Sequence, residues 1–182
     1  MKKLWLIPVS VSVLGLLTCS GVPKYNLGDS GPGGGIVFYD QGSDIGGWRY
    51  LEAAPNDIGS GWCMPTSLFQ TGANGTSIGT GKANTATVVA AFGAGTYAAA
   101  ACQAYAGGGY NDWFLPSKDE LNRIYAVLYV TLGVGNFPNG GATYISSSQD
   151  SGGNLFWVQQ IGPVPQQSFS GGPGQWRPIR AF

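Results

Sequence analysis

No histidine occurs among the 182 residues of the chain. Histidine is the common proton carrier near neutral pH and the commonest metal ligand. Its absence excludes serine–histidine–aspartate and cysteine–histidine catalysis, together with histidine-based zinc or iron sites. The oxygen ligands offered by Asn111, Asp112 and Asn154 are too few for a calcium site of the lectin type. We therefore predict that the protein is not an enzyme and holds neither a metal nor a cofactor.

Charged residues are scarce as well, at 10% of the chain, with nine basic and nine acidic side chains. Lys2 and Lys3 belong to a segment typical of export signals, so a mature chain carries a net charge of about −2. Nucleic-acid-binding proteins usually present a clustered basic face. The other basic residues are scattered along the sequence, and we predict no nucleic-acid partner. They are Lys24, Arg49, Lys82, Lys118, Arg123, Arg177 and Arg180.

Glycine and aromatic residues are abundant instead. The chain contains 31 glycines, and 13% of its residues are aromatic. This composition differs from that of a helical bundle or a disordered acidic tail, and it indicates a loop-rich domain held by aromatic packing. The length is that of one domain.

The first residues are typical of an export signal. Two lysines precede an uncharged, mostly apolar run over residues 4–17, which is too short for a comfortable transmembrane helix. The run ends in Leu17-Thr18-Cys19, which resembles a relaxed bacterial lipobox of the spirochaetal kind. We predict a signal peptide with a lipobox over residues 1–19, lipid attachment at Cys19, a linker over 20–32 and one domain over 33–182.

This targeting prediction places the protein in the cell envelope, at the outer membrane or the cell surface, held by its lipid anchor. The alternative is an ordinary cleavable signal followed by secretion, with an incidental cysteine at position 19.

Two cysteines remain, Cys63 and Cys102, in a compartment where disulfides persist. We predict that they form a disulfide, which would close a loop of about 40 residues and stabilise the fold by roughly 3 to 4 kcal/mol. A redox or nucleophilic pair is the alternative, but the spacing is not that of a CxxC motif and no histidine can activate a thiol.

The pattern of apolar residues predicts an α+β fold. Strands are expected at 36–39 and 48–53, which form a hairpin, and at 143–148, 155–159 and 176–182. Short helices are expected at 83–92 and 97–105, and a long loop at 55–81. Ser117 and Glu120 form a capping-box pattern that begins a third helix. We predict small antiparallel sheets, with the N- and C-terminal strands paired.

Three segments together resemble the Lcl C-terminal family, also known as domain of unknown function 1566. They are GGGIVFY at 33–39, GYNDWFLPSKDEL at 109–121 and WRPIRAF at 176–182. The resemblance implies a fold similar to the C-type-lectin-like and formylglycine-generating-enzyme-like folds. The family's namesake domain is associated with sulfated glycosaminoglycans, but that ligand demands a dense cationic patch. A neutral glycan or a protein surface suits the charge of this chain better.

Aromatic and polar residues near the C-terminus are the candidate ligand-binding residues, because aromatic rings can stack on sugars or anchor a protein partner. They are Trp157, Gln159, Phe169, Trp176 and Arg177. Ordinary core packing is the alternative explanation for the aromatic members.

Three functions are compatible with these observations. The first is an adhesin-like, lipid-anchored surface module that binds a glycan or a host or envelope protein. The second is an envelope structural lipoprotein without a soluble ligand. The third is an enzyme that resembles the formylglycine-generating oxidases, which need reactive cysteines and copper.

Overall fold

A computed structural model describes residues 23–65, 70–150, 152, 155–162, 168–170 and 172–182. The predicted signal peptide and Cys19 lie outside this range. The described part of the chain is a mixed α+β structure with two small sheets and three helices, as the sequence predicted.

The first sheet joins the two ends of the domain. Strand β1 (Ile36–Ile45) forms a hairpin with β2 (Trp48–Ala53) through Gly46 and Gly47, and β2 pairs on its other side with β8 (Ile179–Ala181). Both turn glycines have positive φ, as tight hairpin turns require. The predicted pairing of the terminal strands is confirmed, and β1 is longer than predicted.

The second sheet has the strand order β3-β7-β4-β5-β6. Its strands are β3 (Ser60–Gly61), β4 (Ala142–Gln149), β5 (Phe156–Ile161), β6 (Ser168–Ser170) and β7 (Gly174–Gln175). Neighbours are antiparallel except β7 and β4, which share a parallel bridge. The predicted strand at 176–182 was wrong in extent: the chain leaves the second sheet after β7 and joins the first at β8, and Pro178 between them has no N–H for a ladder.

The helices are α1 (Gly81–Phe92), α2 (Ala98–Ala104) and α3 (Lys118–Ile124), with a short 3₁₀ turn at Gly107–Gly109. The predicted capping box is confirmed: the Ser117 hydroxyl accepts the Glu120 N–H at 3.3 Å, and the Glu120 carboxylate accepts the Ser117 N–H at 2.6 Å. Beyond Ile124 the helix continues as a π-helix, Tyr125–Leu132, which the sequence pattern did not predict.

The predicted Cys63–Cys102 disulfide was wrong. Both cysteines are free thiols, and both are buried in one hydrophobic cluster with Leu115, Ile145 and Val158. Burial raises the pKa of both thiols, so each behaves as a small apolar side chain and not as a reactive thiolate. The two cysteines therefore contribute packing to the core between α2 and the second sheet, and no covalent link.

The three motifs of the family resemblance meet at one buried ion-pair network. Glu52 is fully buried, and its carboxylate accepts the N–H groups of Gly33 and Gly35 at 3.0 and 2.9 Å. Arg180 donates to Glu52 at 3.0 Å and to Asp112 at 2.5 Å. A glycine-rich turn, the middle motif and the last strand are thus locked together by side chains that serve the fold.

Glycine is needed in this turn because the carboxylate approaches the backbone so closely. A Cβ atom at Gly33 would lie 2.7 Å from the Trp113 ring and 2.8 Å from the Glu52 carboxylate. Gly108 packs its backbone on Gly33 from the other side, where a Cβ would lie 2.3 Å from the Gly33 carbonyl oxygen. The glycine-rich turn is therefore a cradle for the protein's own carboxylate.

Candidate functional site

A cleft of about 510 Å³ opens where the π-helix ends and the chain approaches β4. It is lined by aromatic rings, primary amides and backbone groups. The lining residues are Tyr129, Gly133, Val134, Gly135, Asn136, Phe137 and Asn139.

The local backbone explains why a concave surface forms here. Gly133 ends the π-helix in the left-handed conformation, and Val134 N–H returns to the carbonyl of Leu128 at 2.9 Å. Asn136 has φ 51°, and within the described ranges it is the one non-glycine residue with positive φ. Backbone in sparsely populated conformations often marks a binding region. This tight reversal directs the chain back over the side of the helix.

Two rings that line the cleft, Tyr129 and Phe137, belong to a longer row of aromatic contacts. The Tyr125 and Tyr129 rings stack with centroids 5.8 Å apart, and Tyr129 and Phe137 meet edge to face with centroids 6.0 Å apart. Phe137 in turn contacts Tyr144 of β4 edge to face at 5.7 Å. Tyr129 and Phe137 are half-buried, so each fixes its ring in the row and leaves part of it accessible.

Arg177 braces this loop from beneath the surface. Its side chain is buried, and its Nη1 donates to the Gly135 carbonyl at 2.7 Å. The guanidinium lies 4.7 Å from the Phe137 ring centroid and donates from Nε to Asp57 at 2.6 Å. One buried cation therefore holds both the backbone and an aromatic ring of the cleft.

The anionic partner of Arg177 is itself held in place. Tyr144 donates its hydroxyl to Asp57 at 2.9 Å. Burial is the main cause that raises the pKa of Tyr144, so the hydroxyl keeps its proton and remains a donor at neutral pH. The charge of Arg177 is paired with that of Asp57 inside the fold.

Two asparagines supply the polar groups of the cleft. The Asn136 amide donates to the Asn56 side chain at 3.1 Å, which orients it. Asn139 is exposed at the rim, between Pro138 and a pair of glycines. Amides both donate and accept hydrogen bonds, so this arrangement suits hydroxyl-bearing ligands with an apolar face.

The structure separates the candidate residues that the sequence suggested. Trp157 of β5 is half-buried, and the Lys118 ammonium lies 4.3 Å from its ring centroid. Gln159, two residues along the strand, is 2% exposed and donates to the Gln160 carbonyl at 3.1 Å. Phe169 pairs through its backbone with Val158, and its side chain lies outside the described part of the structure.

Trp176 and Arg177 lie in the segment that connects the two sheets. The Trp176 ring packs under Gly59 and Gly61, where added Cβ atoms would lie 2.7 and 2.9 Å from it. Arg177 lies beneath the cleft of residues 129–139. Arg177, one of the five candidates, thus contacts Gly135 and Phe137 of the cleft.

The sequence interpretation missed Tyr129, Phe137 and Asn139. Tyr129 follows Tyr125 by four residues, the spacing that places two rings on one helix face. Pro138-Asn139-Gly140-Gly141 is a turn signal. Together these two features could have indicated an aromatic and amide surface, but the contact between Tyr129 and Phe137 depends on the unpredicted π-helix.

No group of three or more cysteine or acidic side chains within the described ranges is placed to hold a metal ion. The same residues include no helix that is long and apolar enough to cross a membrane.

No protein-family model, no curated protein and no solved structure matches this chain. The resemblance to the Lcl C-terminal family therefore remains a prediction that depends on the three sequence motifs.

Proposed function

We propose that this chain is a non-catalytic binding module that holds a neutral glycan in the cleft of residues 129–139. The observation that carries the proposal is the composition of the cleft: rings, amides and backbone groups line it, and no lining side chain is charged. A pyranose has an apolar C–H face and a rim of hydroxyls. The Tyr129 ring suits the face, the nearly perpendicular Phe137 ring lies beside it, and the two asparagine amides suit the rim.

No basic side chain lines the cleft, which supports a neutral ligand over a sulfated one. Arg49, Arg177 and Arg180 are each paired with carboxylates. Lys118 lies over Trp157, away from these pairs. A sulfated polymer binds through several free cations that converge on one surface, and its affinity falls steeply with salt. The binding of this protein should be insensitive to salt.

The same proposal includes export and anchoring. A positive start, an apolar run and the lipobox-like Leu17-Thr18-Cys19 support lipid attachment at Cys19 and a location in the cell envelope. The three motifs and the pairing of the terminal strands support membership of the Lcl C-terminal family with a C-type-lectin-like fold. An anchored module with an exposed glycan cleft would act as an adhesin.

A glycan array that contains neutral, sialylated and sulfated oligosaccharides tests the proposal. The probe is the chain with Cys19→Ser expressed without residues 1–18, which has neither the apolar signal segment nor the predicted acylation site. This probe, whose cleft residues are unchanged, should bind neutral glycans at both low and high salt. Tyr129→Ala and Asn139→Ala should each reduce the apparent affinity about tenfold, which corresponds to about 1.4 kcal/mol.

Trp157→Ala is the matched control, since Trp157 is a half-buried aromatic residue outside the cleft. It should bind as tightly as the parent protein. Loss of binding in this control with full binding by Tyr129→Ala would move the site to β5. Binding confined to sulfated glycans, or to none, would contradict the proposal.

A further inference from the structure

A second apolar surface lies at the other end of the first sheet. It is a groove of about 260 Å³ lined by Pro23, Tyr25, Asp44, Arg49, Tyr50 and Phe182. We call these residues, together with Ile45, the tether face. Three rings form its floor: Tyr25 meets Tyr50 and Phe182 edge to face at 5.4 and 5.2 Å, and Tyr50 stacks on Phe182 at 5.5 Å.

The tip of the β1–β2 hairpin extends this face. Ile45 pairs with Trp48 across the turn, and 62% of its surface is exposed. Asp44 beside it lines the groove. An aliphatic side chain at a loop tip next to a ring cluster is the kind of surface that lies at a membrane interface, where aromatic residues concentrate.

The path of the chain brings this face to the predicted anchor. Pro23 lines the groove, and the backbone N–H of Tyr25 is bonded to the Tyr50 hydroxyl at 3.3 Å, which fixes the chain there. Cys19 precedes Pro23 by four residues. Four residues span at most about 14 Å, so an acyl group on Cys19 would hold this face within that distance of the bilayer.

From the position of Pro23, the exposed Ile45 and the partly exposed Tyr25 and Phe182 rings, we infer that the tether face rests on the surface of the lipid bilayer. The inference depends on the proposed anchoring at Cys19. Lipid attachment gains from a second membrane contact, because one weak contact alone leaves a protein reversibly bound. The tether face supplies such a contact through Ile45 and the rim of the aromatic groove.

Charge around the face is balanced. Arg49 is bonded to Asp40 at 2.8 Å, and Lys24 and Asp44 are both exposed. Two cations therefore face two anions, and the contact depends on apolar and aromatic groups and not on attraction to acidic headgroups. The tether face should therefore contact the interfacial region of a bilayer whatever the charge of its headgroups.

The direction of β2 places the glycan cleft away from this face. Arg49 and Tyr50 lie at the start of β2, whereas Asn56 and Asp57, which contact the cleft, lie just beyond its end. At about 3.3 Å per residue, seven residues along an extended chain separate the two ends by roughly 20 Å. Contact of the tether face with the bilayer therefore leaves the cleft exposed to ligands.

Spin labelling of the acylated, mature protein tests this orientation. A nitroxide is attached in Ile45→Cys, at the tether face, and in Asn139→Cys as the matched control at the cleft. Both positions are exposed, and Cys63 and Cys102 are buried. The protein is bound to phosphatidylcholine vesicles with or without phosphatidylglycerol, and flotation is measured before accessibility to a water-soluble nickel chelate.

We expect the acylated protein to float with both kinds of vesicle, with accessibility at position 45 several-fold lower than at 139. If the protein floats but the two positions are equally accessible, the tether face does not lie on the bilayer, whereas lipid attachment at Cys19 is still supported. Protein that does not float would overturn both. Protection of position 45 before vesicles are added would show that residues 19–22 cover the groove. Protection that needs phosphatidylglycerol would show that cations make the contact. Either result overturns the inference.

Discussion

Arg180 shows how much of the fold depends on one side chain. It is 7% exposed and joins Glu52 of β2 to Asp112 of the middle motif, while its guanidinium lies 3.7 Å from the Tyr110 ring centroid. Removing one partner of a buried pair leaves the other charge without compensation. The residue therefore stabilises the structure mainly by neutralising Glu52.

We predict that Arg180→Met lowers the free energy of unfolding by about 3–5 kcal/mol. Chemical denaturation monitored by tryptophan fluorescence measures the change. Arg49→Met is the control, because the Arg49–Asp40 pair is 30% and 28% exposed and solvent screens it. Equal losses in the two variants would show that the Glu52 network contributes no more than a surface pair.

The pH dependence of stability should reveal Glu120. Burial is the main cause that raises the pKa of this carboxyl above its ordinary value of 4.5, although the Ser117 and Gly79 N–H groups oppose it. The folded state therefore binds the proton more tightly than the unfolded chain. The stability that protonated Glu120 contributes is fully present below pH 4.5 and is lost as the pH rises through the pKa of Glu120 in the folded protein.

A comparison with Glu120→Gln isolates the pH-dependent contribution of Glu120 to stability, since glutamine does not titrate. The free energy of unfolding of the parent protein, minus that of the variant, should fall as the pH is raised from 4.5 through the neutral range. Urea denaturation at a series of pH values provides the measurement. A difference that rises over the same interval would show that the backbone donors outweigh burial.

The two core thiols should be inert in the folded protein. Cys63 and Cys102 are buried, and burial raises their pKa, so neither accessibility nor thiolate character favours reaction. We predict that a thiol reagent modifies neither residue under native conditions and both in guanidinium chloride, with no prior reduction. If reduction were needed to expose them, mass spectrometry would reveal the disulfide that the structure lacks.

At the scale of elements, the glycine-rich turn offers a matched pair of substitutions. Gly34 has φ 72° and open space around it, whereas Gly33 has no room beside Trp113 and Glu52. Gly34→Ala should lower the free energy of unfolding by roughly 1–2 kcal/mol, because alanine is strained at this positive φ. Gly33→Ala should lower the free energy of unfolding by about 3 kcal/mol or more, because the added methyl group displaces a buried carboxylate. Thermal unfolding of both variants would refute this explanation if Gly34→Ala were the less stable.

Local signals explain which elements could be predicted. The capping box at Ser117 and Glu120 and the alternation in β2 depend on nearby residues, and both were correctly predicted. The π-helix and the shortening of the predicted strand 176–182 to β8 depend on distant contacts, such as that of Arg177 with Gly135. The cleft combines both unpredicted features, so its rings were missed.

At the scale of the whole molecule, strands β2 and β8 connect two surfaces of different chemistry. Arg177 precedes β8 and supports the cleft, and Phe182 follows β8 and lies in the tether face. An anchor at one end of a sheet and a ligand cleft at the other is a simple arrangement for a surface module. The proposed adhesin function requires both ends.

Nuclear magnetic resonance titration tests the central claim most directly. A ¹⁵N-labelled protein with Cys19→Ser is titrated with the neutral oligosaccharide that binds best on the array, and the amide shifts are followed. We predict that the shifts concentrate at residues 129–139 and that Tyr129→Ala, whose other resonances stay in place, needs about tenfold more ligand to reach them. Shifts centred on Trp157 and β5, or an unchanged response in Tyr129→Ala, would contradict the proposal that this cleft binds the glycan.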